Sequence, residues 1–173
     1  MYRDYEIRFE PMDWPTPVYV SEDEPSPDAV DPIENWNVKP VGGLWTAPLL
    51  DDSDGLATAW TEWMNAEQYV PYGENARLYA LEPRDDVDLF VVDSLDAAKE
   101  LYAFGDSGPA EVLSSAVDYE AIVDEYDGVR LTHEGQIDTR LSWEANLNGW
   151  DCASTVWFDW CFESVEDLGP LEL

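Results

Sequence analysis

Tyr5, Ile7 and Phe9 alternate with charged residues, which predicts a half-buried first strand. A second period-two pattern, Arg77-Leu78-Tyr79-Ala80-Leu81, predicts another, and Glu82-Pro83-Arg84-Asp85 separates it from the next apolar stretch. That stretch, Val87–Val92, is nearly continuous, as expected of a strand covered on both faces and therefore central in a sheet. Gly42–Pro48 reads as a strand entered through glycines and stopped by proline. Val129-Arg130-Leu131 predicts a further strand, and Ser154–Phe158 the last one in the chain.

Helical spacing takes over in between. Leu56, Trp60, Trp63 and Met64 form one stripe, predicting a helix from a cap at Ser53 or Asp54 to about Glu67, with both tryptophans in the core. Asp93 or Ser94 opens a short helix with Leu95, Ala98, Leu101 and Tyr102 on one face. Asp118 caps another, with Tyr119, Ile122, Val123 and Tyr126 turned inward and Gly128 as its stop. Residues 11–40 hold seven prolines and several acids, which predicts an ordered loop or arm with a short extended piece at Val18-Tyr19-Val20. Trp14 and Trp36 are placed to pin its ends. Residues 133–152 read as irregular and polar. Without a regular βαβ beat, the pattern predicts one α+β domain over residues 1–173. Its sheet is expected to be split or strongly bent and mainly antiparallel, with three or so short helices.

Charge changes this picture most. Asp and Glu number 39 against 8 Lys and Arg, a formal net charge of −31. Self-repulsion of that size weakens a compact state in dilute buffer. At molar salt the Debye length falls to about 3 Å and most of the repulsion is screened. An Asp-rich chain with only Lys39 and Lys99 as lysines thus fits a cytoplasm that holds molar salt. The competing reading is a DNA mimic, which needs its acids gathered on a stripe. Here they are scattered, as at Glu22-Asp23-Glu24, Asp51-Asp52, Asp85-Asp86 and Glu166-Asp167, which favours salt adaptation. The same charge argues against direct binding of nucleic acid or an anionic membrane.

The N-terminus carries no apolar stretch of signal-peptide length, so a host cytoplasm or a virion is expected rather than secretion. Cys152 and Cys161 fit no metal spacing, and with His133 as the one histidine no zinc site is expected. Two buried thiols suit a reducing compartment better than a Cys152–Cys161 disulfide. No phosphate-cradling glycine loop and no nucleophile elbow occurs.

The remaining candidate chemistry lies in Thr132-His133-Glu134-Gly135-Gln136, Thr139-Arg140 and Asn148-Gly149-Trp150-Asp151. A long polar loop inside a compact domain is more often functional than a plain connection. Arg140 is one of six arginines; it either pairs with a nearby carboxylate or contacts a ligand. Asp151 either points a carboxylate into a cleft at the sheet or serves as a turn residue after Gly149.

Four segments carry a resemblance: Lys39-Pro40-Val41-Gly42-Gly43-Leu44-Trp45-Thr46-Ala47-Pro48, Tyr126-Asp127-Gly128, Gly135-Gln136-Ile137-Asp138-Thr139-Arg140 and Gly149-Trp150-Asp151-Cys152. In these the chain resembles a family of uncharacterised phage and mobile-element proteins, whose "KP-x-GGLW" strand precedes a Trp-rich helix and whose "GWDC" stretch leads into the final strand. That resemblance implies a haloarchaeal virus or provirus as the source. More distantly the layout is similar to ADP-ribosyltransferase-like domains, which enclose NAD between two small sheets. By that likeness Gly43, Trp45 and Thr46 would line the nicotinamide cleft, Arg140 would hold a phosphate of NAD, and Asp151 would be the catalytic acid. The chain departs from those domains in lacking a His-Tyr-Glu triad and in having Ala153 where relatives often show an acid. The other function class is a virion component or accessory factor that binds a host or viral protein. Nine tryptophans suit such a surface as well as a core.

The charge generates the first prediction. The thermal midpoint rises steadily between 0.1 M and roughly 2 M KCl, as screening removes self-repulsion. A midpoint that stays flat across that range, followed by circular dichroism, would sink the salt-adaptation reading and revive the mimic.

Overall fold

The computed structural model describes residues 14–50, 56–104 and 117–173. These form an α+β fold: four α-helices and a mixed, mostly antiparallel, open sheet of eight strands. The strands are β1 (Pro17–Ser21), β2 (Asp31–Glu34), β3 (Val41–Pro48), β4 (Arg77–Pro83), β5 (Leu89–Val92), β6 (Gly128–Leu131), β7 (Ser154–Trp157) and β8 (Phe162–Pro170). The helices are α1 (Ala59–Glu67), α2 (Leu95–Tyr102), α3 (Tyr119–Ile122) and α4 (His133–Thr139). The sheet runs β5-β6-β7-β3-β1-β4-β8, with β2 paired to the start of β3. Only β5 and β6 are parallel, joined by a crossover that carries α2 and α3. No described helix is long and apolar enough to cross a membrane. The strand expected at Tyr5, Ile7 and Phe9 lies outside the described residues.

Several sequence expectations need correction. The 11–40 segment is more than an arm: it supplies β1, which sits inside the sheet between β3 and β4, with Val18 opposite both Ala47 and Ala80. Prolines 15 and 17 fall at the strand's entry, where a missing N–H costs least. β5 is an edge strand, not a central one. Its apolar run arises because Phe90 and Val92 face the helices while Leu89 packs on the other side. Burial of two faces does not say whether both hydrogen-bonding edges are used. A strand that is both covered on two faces and paired on both edges is β4, where Leu78 and Ala80 meet one cluster and Tyr79 and Leu81 the opposite one. β7 is not the last strand, since β8 follows and pairs along all of β4.

The helices show a similar mixture. Ser94 caps α2 and Asp118 caps α3 as expected, each side chain accepting from a backbone N–H three residues on. Ala98, Leu101 and Tyr102 of α2 are buried, as are Tyr119 and Ile122 of α3, while Val123 is exposed. Gly128 opens β6 rather than stopping a helix. α1 starts later than predicted, at a reciprocal capping box between Thr58 and Thr61. Part of the stretch 133–152, expected to be irregular, is α4, capped by Thr132. Its Gly135 looks like a loop residue in sequence, yet a Cβ there would run into the Val92 carbonyl; the glycine lets the helix lie against β5.

Three apolar clusters cover the sheet. One lies under α2 and α3 with Leu147 and Trp150, one gathers Val18, Val20, Leu78 and Leu168 beneath Trp60, and one holds Leu44, Tyr79, Leu81, Trp157 and Phe162. Trp60 and Trp63, expected as core, are only half-buried; they stack at 4.8 Å, and Trp60 Nε1 donates to the Tyr72 hydroxyl at 3.0 Å. The fully buried position of that helix belongs to Met64. Met64→Ala is therefore expected to cost about 2–5 kcal/mol. Trp63→Ala should cost less than half of what Met64→Ala does, because water already reaches the ring. Equilibrium unfolding in high salt checks the order, and a larger loss at Trp63 would contradict this packing.

Candidate functional site

A cleft of about 780 Å³ opens in the described surface. Its floor is sheet, from Pro17, Thr46 and Pro48 across to Leu131, Ser154 and Thr155. α1 forms one wall with Ala59, Glu62, Trp63, Ala66 and Glu67. The other wall is the end of β6 and α4, which bring Arg130, His133, Glu134, Gln136 and then Arg140. Trp14 closes one side. A smaller pocket of about 130 Å³ adjoins it, sharing Thr46, Asp151, Cys152 and Ser154 and adding Lys39, Trp45, Trp60 and Tyr72.

Of the five residues singled out from sequence, four reach this region. Thr46, Arg140 and Asp151 line the cleft, and Trp45 lines the adjoining pocket. Gly43 does not. Its φ of +68° belongs to the left-handed region, and a Cβ would stand 2.6 Å from Val156 Cγ2 and 2.8 Å from the Trp157 carbonyl oxygen. Gly42 has φ of +87°, and its Cβ would overlap the Pro32 carbonyl. Gly42 therefore serves the irregular β2–β3 pairing, whose register shifts between Asp31 and Glu34, and Gly43 the close approach of β7.

Asp151 and Arg140 are not each other's partners. Asp151 Oδ2 accepts from Lys39 Nζ at 3.2 Å, and the same ammonium lies 4.7 Å from the Trp45 ring centroid. Trp45 in turn meets Trp150 edge-on, and Trp150 Nε1 donates to the Val38 carbonyl at 2.8 Å. Asp151 is held in place through its backbone too, since Gln136 Nε2 donates to its carbonyl at 3.0 Å. The carboxylate thus lies where the two pockets adjoin, with one oxygen paired to Lys39. At the floor, Thr46 Oγ1 accepts from Trp157 Nε1 at 2.8 Å.

The pairing state of the cations separates two residues from the rest. Lys39 pairs with Asp151, Arg77 with Asp167, Arg84 with Asp86, and Lys99 with Asp96 and Glu144. Arg130 and Arg140 form no ion pair among the described residues, and both line the cleft. Arg130 is half-buried, with its guanidinium 5.1 Å from the Trp14 ring centroid. Burial pulls the guanidinium below its usual pKa, opposed by the charge of Glu134, but an arginine stays protonated through such a shift. Arg130 was read from sequence only as part of a strand. The usable signal was its polarity between Val129 and Leu131, which places it on the face opposite the core. His133, the one histidine of the chain, is exposed on the same rim.

Both cysteines are buried free thiols. Burial is the main reason that the Cys152 thiol is pushed up to about 12 and the Cys161 thiol to about 11. Neither is therefore a thiolate nucleophile near neutral pH. No family model, no curated protein and no solved structure was found to match the chain.

The thiols supply a direct check. With raised pKa values both stay protonated at pH 8, so iodoacetamide should label neither in the folded protein over an hour and both in denaturant. Fast native labelling of Cys152 at pH 8 would show an activated thiol in the cleft and overturn this assignment.

Proposed function

We propose that the cleft binds a small ligand bearing an anionic group, held by Arg130 and Arg140. The observation that carries this is the pairing state: in a chain of net charge −31 the other four described cations each have a carboxylate partner, and these two face one cleft without any. Arg130 is half-buried, and such a cation without a counter-ion is costly unless something supplies the charge; Arg140 is exposed and adds its charge from the rim. Two guanidinium forks can grip a phosphate or carboxylate through parallel hydrogen bonds, which a lysine cannot copy.

A dinucleotide of the NAD type is the ligand that the likeness to ADP-ribosyltransferase-like domains suggests, and several features support it. The volume, about 780 Å³, lies in the range of small-molecule sites. Trp14 and Trp63 offer flat apolar walls for a ring, and Glu62 and Glu67 place negative charge on the wall facing the arginines. Such a wall suits a ligand with a cationic or hydroxyl-bearing end. Asp151 could stabilise positive charge at a ribose only with the carboxylate oxygen not engaged by Lys39, so the geometry favours binding over turnover.

Calorimetry in molar KCl with NAD, ADP-ribose and pyrophosphate tests the reading. Binding is expected, with Arg140→Lys weakening it about tenfold and Arg130→Met more than that. Asp151→Asn should leave the affinity within about twofold, since its carboxylate is already paired. No heat and no thermal shift with any of the three at millimolar concentration would remove the proposal.

A further inference from the structure

Beside the cleft, on the outer side of α4, lies a second feature that ligand binding does not use. Ile137, Leu141 and Trp143 are 61%, 91% and 84% exposed. Ile137 and Leu141 are four residues apart, so they share one side of the helix and its exit. Isolated exposed apolar residues need no explanation, but three large ones within seven positions form a patch. Water contact with a leucine and a tryptophan this exposed is unfavourable, and nothing in the described structure turns them inward.

The surroundings of the patch indicate what could cover it. Glu134 and Asp138 lie exposed on α4, Glu144 follows Trp143, and Asp96 and Glu100 stand exposed on α2, which packs against α4. The cation nearest in sequence, Arg140, lines the cleft, and Lys99 is already paired with Glu144 at 2.9 Å. Three side chains expose only a few hundred Å², whereas a stable dimer commonly buries about 800 Å² on each partner. A short segment inserting a few anchors needs much less area.

We infer that the Ile137–Leu141–Trp143 face docks a short amphipathic segment of another protein, its apolar side chains flanked by lysine or arginine. The apolar anchors cover the patch while the basic flanks meet Asp138 on α4 and Glu100 on the adjoining α2. This docking is independent of the ligand assigned to the cleft, and either can fail without the other.

The test uses the full chain and three labelled synthetic peptides, followed by fluorescence anisotropy. The first is a basic amphipathic helix with one leucine face and lysine flanks; the second scrambles it so that no apolar face remains; the third replaces each lysine by glutamate. The first peptide is expected to bind, with Leu141→Ser and Trp143→Ser each weakening it about tenfold and Trp36→Ser, at an exposed tryptophan elsewhere, leaving it unchanged. These positions are on the surface, so circular dichroism of the variants should match that of the parent. The inference is overturned if the scrambled or acidic peptide binds equally well, if the first peptide does not bind at roughly millimolar concentration, or if the patch variants bind as the parent does. It is also overturned if sedimentation reveals a dimer that Trp143→Ser dissolves, which would make a second copy the occupant.

Discussion

The structure depends on one strand making two edges of pairing at once. β3 meets β7 through Leu44, Trp45 and Thr46 on one edge and β1 through Ala47 and Pro48 on another, while its first residues take β2. Among the described strands, the half of the sheet that carries the crossover and the half built from β1, β4 and β8 are joined in the ladder only through it. Gly42 and Gly43 are required because β2 and β7 come so close to the strand's start that a Cβ has no room. The Trp157–Thr46 hydrogen bond ties the same strand to the buried aromatic cluster. A strand so constrained places Thr46 and Pro48 on the cleft floor with little freedom to move.

Electrostatics sets the second constraint. In a chain so rich in carboxylates, a cation finds a partner almost wherever it is placed, and each of these surface pairs adds little stability. The information lies in the exceptions. Arg130 lies in β6 with Trp14 over its guanidinium and no described carboxylate at ion-pair distance, and Arg140 sits past the end of α4 on the same cleft. Lys39 does the opposite: it reaches across to Asp151 and packs on Trp45, engaging one oxygen of the carboxylate that the sequence singles out as the catalytic candidate.

The cleft and the apolar face meet at α4, which accounts for the composition of that helix. Gly135 and Thr139 face inward, with the Thr139 hydroxyl donating to the Gly135 carbonyl at 2.8 Å. Gln136 turns to the cleft and holds the Asp151 backbone, while Ile137 points to solvent. A seven-residue helix with so few buried positions has no apolar stripe to betray it, so its stretch reads as polar loop.

The elements that the sequence determined by itself are those whose cause is local. Ser94 and Asp118 cap the helices they precede, and the spacing of Ala98, Leu101 and Tyr102 marks the buried face, because capping and helical period act within a few residues. The α+β class followed from the same local signals. Tertiary structure alone decided which strand edges pair: β5 lies at the margin despite its apolar run, and β1 lies inside despite its prolines. Thr46, Trp45, Arg140 and Asp151 were legible as candidates from residue type and loop context, and the fold does bring them to adjoining pockets. Gly43 was misplaced because a glycine needed for backbone approach looks the same in sequence as one that lines a cleft. Arg130 and the Lys39–Asp151 pair were hidden for another reason. Which charges neutralise one another is settled between residues up to 112 positions apart, and only the folded chain brings those together.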